Sequence, residues 1–151
     1  MYSTVARRVV RADRRSVYAA LLDPAAIARW RVPDGMRGEV HLLEPYAGGR
    51  IAMSLTYDDP SRSGKTDGAT DAYTGVFVEL VEGECVVEEV RFESEDPALA
   101  GTLRVTTSLR EVPGGTEVEL RMDGVPDGVP AEQNQAGVEM ALAGLARLLT
   151  A

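Results

Sequence analysis

The sequence predicts an α+β fold: a curved antiparallel sheet of six to seven strands around a long C-terminal helix, with two short helices after the first strand. Three observations carry this expectation. From about Met36 to Met122 the apolar residues recur with a period of two, in short runs separated by turn residues. From Pro130 onward the period becomes helical, and Val138, Ala141, Leu142, Leu145, Leu148 and Leu149 fall on one stripe. A sheet built of hairpins needs one covered face. The last segment, about 20 residues or roughly 30 Å if fully helical, is the only one long enough to cover it.

The elements follow in order along the chain. Residues 3–11 read as a first strand, with Val5, Val9 and Val10 set among arginines. Asp13 suits the N-cap of a short helix over residues 14–22, where Val17 and Leu21 share a face. Asp23-Pro24 restarts the chain with a capping carboxylate and a proline at the first helical position, and the second short helix runs to about Trp30. Met36 to Glu44 reads as a strand, ended by Pro45 and Gly48-Gly49. Ile51, Met53, Leu55 and Tyr57 alternate with polar or small residues, the pattern of a half-buried strand. Residues 58–71, rich in Asp, Ser, Gly and Thr, read as an exposed loop. Tyr73 to Val81 and Cys85 to Glu93 form a hairpin about Glu82-Gly83. Thr102 to Val112 and Thr116 to Met122 pair across Pro113-Gly114-Gly115. On these two, Leu103, Val105 and Leu109 face one way, as do Val118, Leu120 and Met122. No repeat, low-complexity tract or linker divides the chain, so residues 1–151 are expected to form a single domain.

Composition narrows the functional classes. At 44% hydrophobic residues the chain is too apolar for disorder, and 151 residues can bury a core without staples. The apolar set leans on Ala and Val, with two Phe and one Trp, so the interior could be left partly unfilled. The net charge of −8 is uneven. The first 31 residues hold seven Arg against Asp13 and Asp23, a balance of +5, which leaves −13 for the rest. An acidic body repels phosphate backbones and anionic lipid, so neither nucleic acid nor a membrane surface is an expected partner. No apolar run approaches the roughly 20 residues that span a bilayer, and none of signal-peptide length follows the arginines. A cytoplasmic location is the default expectation.

Four motifs fail on inspection. Ser63-Gly64-Lys65-Thr66 imitates the end of a phosphate-binding loop, but Asp59 stands where that motif needs glycine, and no helix follows. The stretch from Asp59 imitates a calcium loop, but its twelfth position is Thr70 in place of a bidentate Glu. His41 is the only histidine and Cys85 the only cysteine, too few ligands for a zinc site. His41 shares strand phase with Arg37 and Glu39 and is expected in water. Cys85 has acidic neighbours and no nearby histidine, so it reads as a structural thiol. No metal and no cofactor is expected.

At Asp23-Pro24-Ala25-Ala26-Ile27-Ala28-Arg29-Trp30, with Pro33 after it, the chain resembles the Hsp90 ATPase activator homologue-like family of the START/polyketide cyclase superfamily. Ser16-Val17-Tyr18, Gly48-Gly49-Arg50, the strand led by Gly75, Gly114-Gly115-Thr116 and a closing helix carrying Gly137 and Leu145 extend the resemblance over nearly the whole length. The chain departs from the family pattern at Val138 and Arg31, where an aromatic is common. Both departures are expected to remove bulk near the interior. The resemblance implies a helix-grip fold with a cavity between sheet and final helix. In the wider superfamily it implies binding of lipids, hormones or polyketides, and in some members cyclisation or dehydration.

The favoured expectation is therefore binding of a small hydrophobic or amphipathic molecule, with catalysis less favoured. The candidate lining residues are Ile51, Met53, Leu55, Tyr57, Val90, Phe92, Leu103, Val105, Met122, Val138 and Leu142, with Trp30 near the mouth. Tyr57, Tyr73 and Glu88 are the polar candidates. Pockets of this kind are mostly apolar with a few placed polar groups. The alternatives are a metal-free cyclase or dehydratase using Glu88 or a tyrosine, and a co-chaperone-like interaction protein. Homodimerisation stays open.

Overall fold

The computed structural model describes residues 1–64, 66 and 68–150. The chain begins with β1 (Tyr2–Val10), followed by the helices α1 (Arg14–Leu22) and α2 (Pro24–Trp30). Six strands come next: β2 (Met36–Leu43), β3 (Arg50–Tyr57), β4 (Thr70–Val81), β5 (Cys85–Phe92), β6 (Leu103–Val112) and β7 (Gly115–Val125). The helix α3 (Ala131–Thr150) closes the chain. Among the described residues the seven strands make one antiparallel sheet in the order β1-β7-β6-β5-β4-β3-β2. Strands β2 to β7 are successive hairpin neighbours, while β1 crosses over to pair with β7. The two short helices span that crossover, and α3 packs against β1, β7, α1 and α2. This is the helix-grip arrangement expected.

The local devices behave as their chemistry dictates. The Asp13 carboxylate accepts from the Ser16 amide at 2.7 Å, and that of Asp23 from the Ala25 amide at 3.1 Å, so both short helices start on satisfied caps. Between β4 and β5, Gly83 takes a φ of 72°, which a side chain would oppose. The apolar faces of the three helices and the concave face of the sheet share one core. At its tightest end Val10, Val17, Ile27, Trp30, Val118 and Leu145 are sealed from solvent. The Trp30 indole N–H donates to the Ala20 carbonyl at 2.9 Å, so burial leaves no polar atom stranded there.

Three boundaries differ from the sequence reading. Strand β4 begins at Thr70, and Asp71 pairs with Leu55 and is buried, so the exposed loop ends two residues earlier than its composition suggests. Strand β7 continues to Val125 because β1 pairs with it as far as Tyr2. A single 3₁₀ turn, Pro97–Leu99, capped by Asp96, joins β5 to β6 and was not anticipated. A bulge between Phe77 and Glu79 breaks the alternation opposite Val87 and Glu88, and both of these are buried. No helix among the described residues is long and apolar enough to cross a membrane.

Candidate functional site

A cavity of about 280 Å³ lies between the first half of α3 and the concave face of the sheet. Beneath the middle of that stretch α3 presents small groups, Ala136, Gly137, Val138 and Ala141, flanked by Gln133, Asn134 and Met140. A methyl group built on Gly137 would meet nothing within 4 Å.

Ten of the side chains expected to line a cavity do so. Leu55 and Tyr57 come from β3, Tyr73 from β4, Val90 and Phe92 from β5, and Leu103 and Val105 from β6. Met122, Val138 and Trp30 complete that group. Ile51, Met53 and Leu142 face inward as expected, but they belong to the solid core and do not line the cavity. Trp30 also needs correction: at 1% exposure it is a wall of the interior and not a residue of the mouth. The exposed rim residues are Asp34, Arg62, Arg91 and Gln133.

The principal polar feature was not anticipated. Arg31, placed by the end of α2, lines the cavity, and its Nη1 donates to both carboxylate oxygens of Glu88 at 3.1 and 3.0 Å. The pair is buried, the Arg31 side chain 13% exposed and that of Glu88 2%. Glu88 therefore lies behind Arg31 and does not itself line the cavity. The expectation that Arg31 removes bulk from the interior is overturned: it brings a guanidinium there in place of a ring. Burial alone would lower the pKa of Arg31. The Glu88 carboxylate outweighs it and holds the guanidinium above its ordinary range, so the group is charged. The guanidinium also lies 5.6 Å from the centre of the Tyr73 ring. Burial pushes the Tyr73 phenol up, with Arg31 pulling it down and Glu88 adding to the rise. Its hydroxyl points to the Met53 sulfur at 3.1 Å.

Further polar groups line the cavity, among them the buried Asp71 of β4. Asn134, on the first turns of α3, has a buried Oδ1 with no partner among the described residues, and its Nδ2 reaches only the Met122 sulfur at 3.6 Å. Thr107 is buried on β6, in phase with Leu103 and Val105. That phase could have identified Thr107 from sequence. Asn134 carries no comparable signal, because its position depends on where α3 begins. At the rim, Arg62 stacks over the Tyr57 ring at 4.4 Å, and the Gln133 amide approaches the Tyr57 hydroxyl at 3.5 Å.

The remaining candidates lie elsewhere. His41 is exposed, with Nε2 2.7 Å from the Ser54 hydroxyl. Cys85 is half-buried; burial raises its thiol pKa and Glu79 adds to the rise, the reverse of thiolate activation. Lys65 of the phosphate-loop imitation, and Asp67 within the calcium-loop imitation, lie outside the described residues. Among the described residues, no three His, Cys, Asp or Glu side chains are placed to hold a metal.

Comparison with known proteins bears on this site. A comparison with curated proteins finds none that matches. A solved structure from Chromobacterium violaceum is 29% identical over 99% of this chain and 98% of its own, with a TM-score of 0.88. One from Rhodobacter sphaeroides is 25% identical over 99% of this chain and 92% of its own, with a TM-score of 0.79. An AHSA1-like protein from Aeromonas hydrophila, 19% identical over 98% and 92% of the two chains, shares the fold at a TM-score of 0.73. The family model described as activator of Hsp90 ATPase homolog 1-like protein matches residues 11–150. With that match running from the end of β1 to the end of α3, the chain belongs to the activator of Hsp90 ATPase homologue 1-like family.

Proposed function

We propose that this protein binds one small, largely apolar molecule in the cavity beneath α3. The observation that carries the reading is the gap at Gly137: a helix that seals the rest of the core leaves about 280 Å³ open beneath its first half. Small-molecule sites run from roughly 300 to 1,000 Å³ and are mostly apolar with a few placed polar groups. This cavity is near the lower bound and has that composition. Arg31, Asp71, Tyr73, Thr107 and Asn134 supply the buried or half-buried polar minority.

Catalysis by Glu88 finds less support, because both carboxylate oxygens are engaged by Arg31. Direct evidence for binding would come from thermal unfolding with a hydrophobic dye and a panel of lipids and polyketides. A bound species raises Tm with the logarithm of its concentration. Gly137→Phe, which fills the gap, should abolish the shift while leaving the protein folded. No shift across the panel would overturn the proposal.

A further inference from the structure

We propose that Arg31 selects the ligand by donating hydrogen bonds to an uncharged oxygen acceptor, so that the molecule bound is an apolar carbonyl compound such as a ketone, ester or amide. This rests on the cavity being a binding site, and it assigns the chemistry of the ligand's polar end.

Three facts carry it. The first is the unused capacity of the guanidinium. It has five N–H donors in a fixed fork, and Glu88 engages only one of its nitrogens, Nη1. Tyr73 is the other polar side chain against it: its hydroxyl oxygen accepts from the guanidinium, while its own proton is directed to the Met53 sulfur, so Glu88 and Tyr73 together use part of the fork. Donors therefore remain on a group that lines the cavity.

The second is the charge balance. Arg31 and Glu88 form a buried pair that is formally neutral. A ligand carboxylate placed against Arg31 would add a net negative charge in a poorly solvated cavity that the buried Asp71 also lines, which is costly. A ligand ammonium would face the like charge of Arg31. A neutral acceptor satisfies the free donors and leaves the balance unchanged. The other cations near the cavity, Arg62 and Arg91, are exposed at its rim, where water already solvates them.

The third is the surroundings. Much of the cavity wall is apolar, and Trp30, Val90, Val105 and Val138 offer no free hydrogen-bonding group to the ligand. A ligand whose polar end carried only donors would meet donors at Arg31; the unpartnered acceptor in the cavity, Asn134 Oδ1, belongs to α3.

The test compares three probes of similar size: propiophenone, propylbenzene and 3-phenylpropanoate. Their affinities are measured by calorimetry on the wild-type protein and on Arg31→Met/Glu88→Met, which removes both charges and so leaves no orphan. A hydrogen bond to a charged donor implies about a tenfold preference for the ketone over the hydrocarbon, lost in the double variant. The carboxylate should bind the wild-type protein more weakly than the ketone. Should the double variant fail to fold, infrared spectra of ¹³C-carbonyl propiophenone bound to wild type give the same answer, because a guanidinium contact lowers the carbonyl stretch relative to hexane. An unshifted stretch, an unchanged ketone-to-hydrocarbon ratio in the double variant, or a preference for the carboxylate would each overturn the assignment to Arg31 while the cavity reading stands. If no probe binds and the dye does not bind either, the cavity reading itself falls and takes this assignment with it.

Discussion

Gly137 and Gly144 lie two turns apart on the same face of α3, and they do opposite things. A methyl group on Gly144 would sit 2.8 Å from the Trp30 carbonyl oxygen and 3.2 Å from its Cα, so the absence of a side chain lets α3 and α2 touch backbone to backbone. A methyl group on Gly137 would meet open space. At Gly144 the missing atoms bring two elements together, whereas at Gly137 they leave a gap that nothing fills. Glycine in a helix interior costs roughly 0.5–1 kcal/mol relative to alanine. Close packing offsets that cost at Gly144, and the cavity is what the same cost leaves at Gly137.

The contrast can be broken, first, at the boundary between the two regions. Glu88→Ala strips the buried Arg31 of its partner and should lower stability by about 3–5 kcal/mol, read from urea unfolding. The double change to Met should recover most of that. If Glu88→Ala alone is neutral, water reaches Arg31 freely and the closed region is smaller than described. Next, Gly144→Ala forces α3 away from Trp30 and should cost about 1–3 kcal/mol by overpacking. A neutral result would mean that the helix can slide on α2. By contrast, Gly137→Ala should raise stability by about 0.5–1 kcal/mol while narrowing the cavity, so Tm rises and dye binding weakens together. A drop in Tm would remove the idea that the gap is empty of protein atoms.

The smallest expected effect is a pH dependence at Tyr73. Burial raises its pKa above the ordinary 10.0, so the folded state favours the neutral phenol. That contribution is intact below the unfolded value and is lost as pH rises through the folded one. Tyr2, Tyr18 and Tyr46 are also raised, so tyrosinate absorbance during alkaline unfolding should show several late phenols, and Tyr73→Phe should remove one of them. An unchanged curve in that variant would place the late phenols elsewhere.

How much was legible beforehand depends on the kind of signal. Alternation along β3 correctly puts Ile51, Met53, Leu55 and Tyr57 on the concave face, but it does not say how far along that face the packing stays solid. Ile51 and Met53 are core, while Leu55 and Tyr57 line the cavity. The caps at Asp13 and Asp23 were readable because each acts on the backbone two or three residues ahead. Arg31 was not readable as an interior group: it follows α2 outside any periodic pattern, and its partner is 57 positions away on β5. Glu88 stood in phase with Val90 and Phe92, which hinted at burial and could not reveal that Arg31 would cover it.

The sequence by itself determined the order and type of the elements, the face each strand turns inward, and the identity of the covering helix, because these depend on contacts between near neighbours and on the period of the apolar residues. The tertiary structure alone decided which inward residues meet one another and which meet a void. It also decided that the Arg31 guanidinium stands at that void, held by Glu88. Packing is a property of surfaces brought together from distant parts of the chain, and a gap appears only where two such surfaces fail to match in volume.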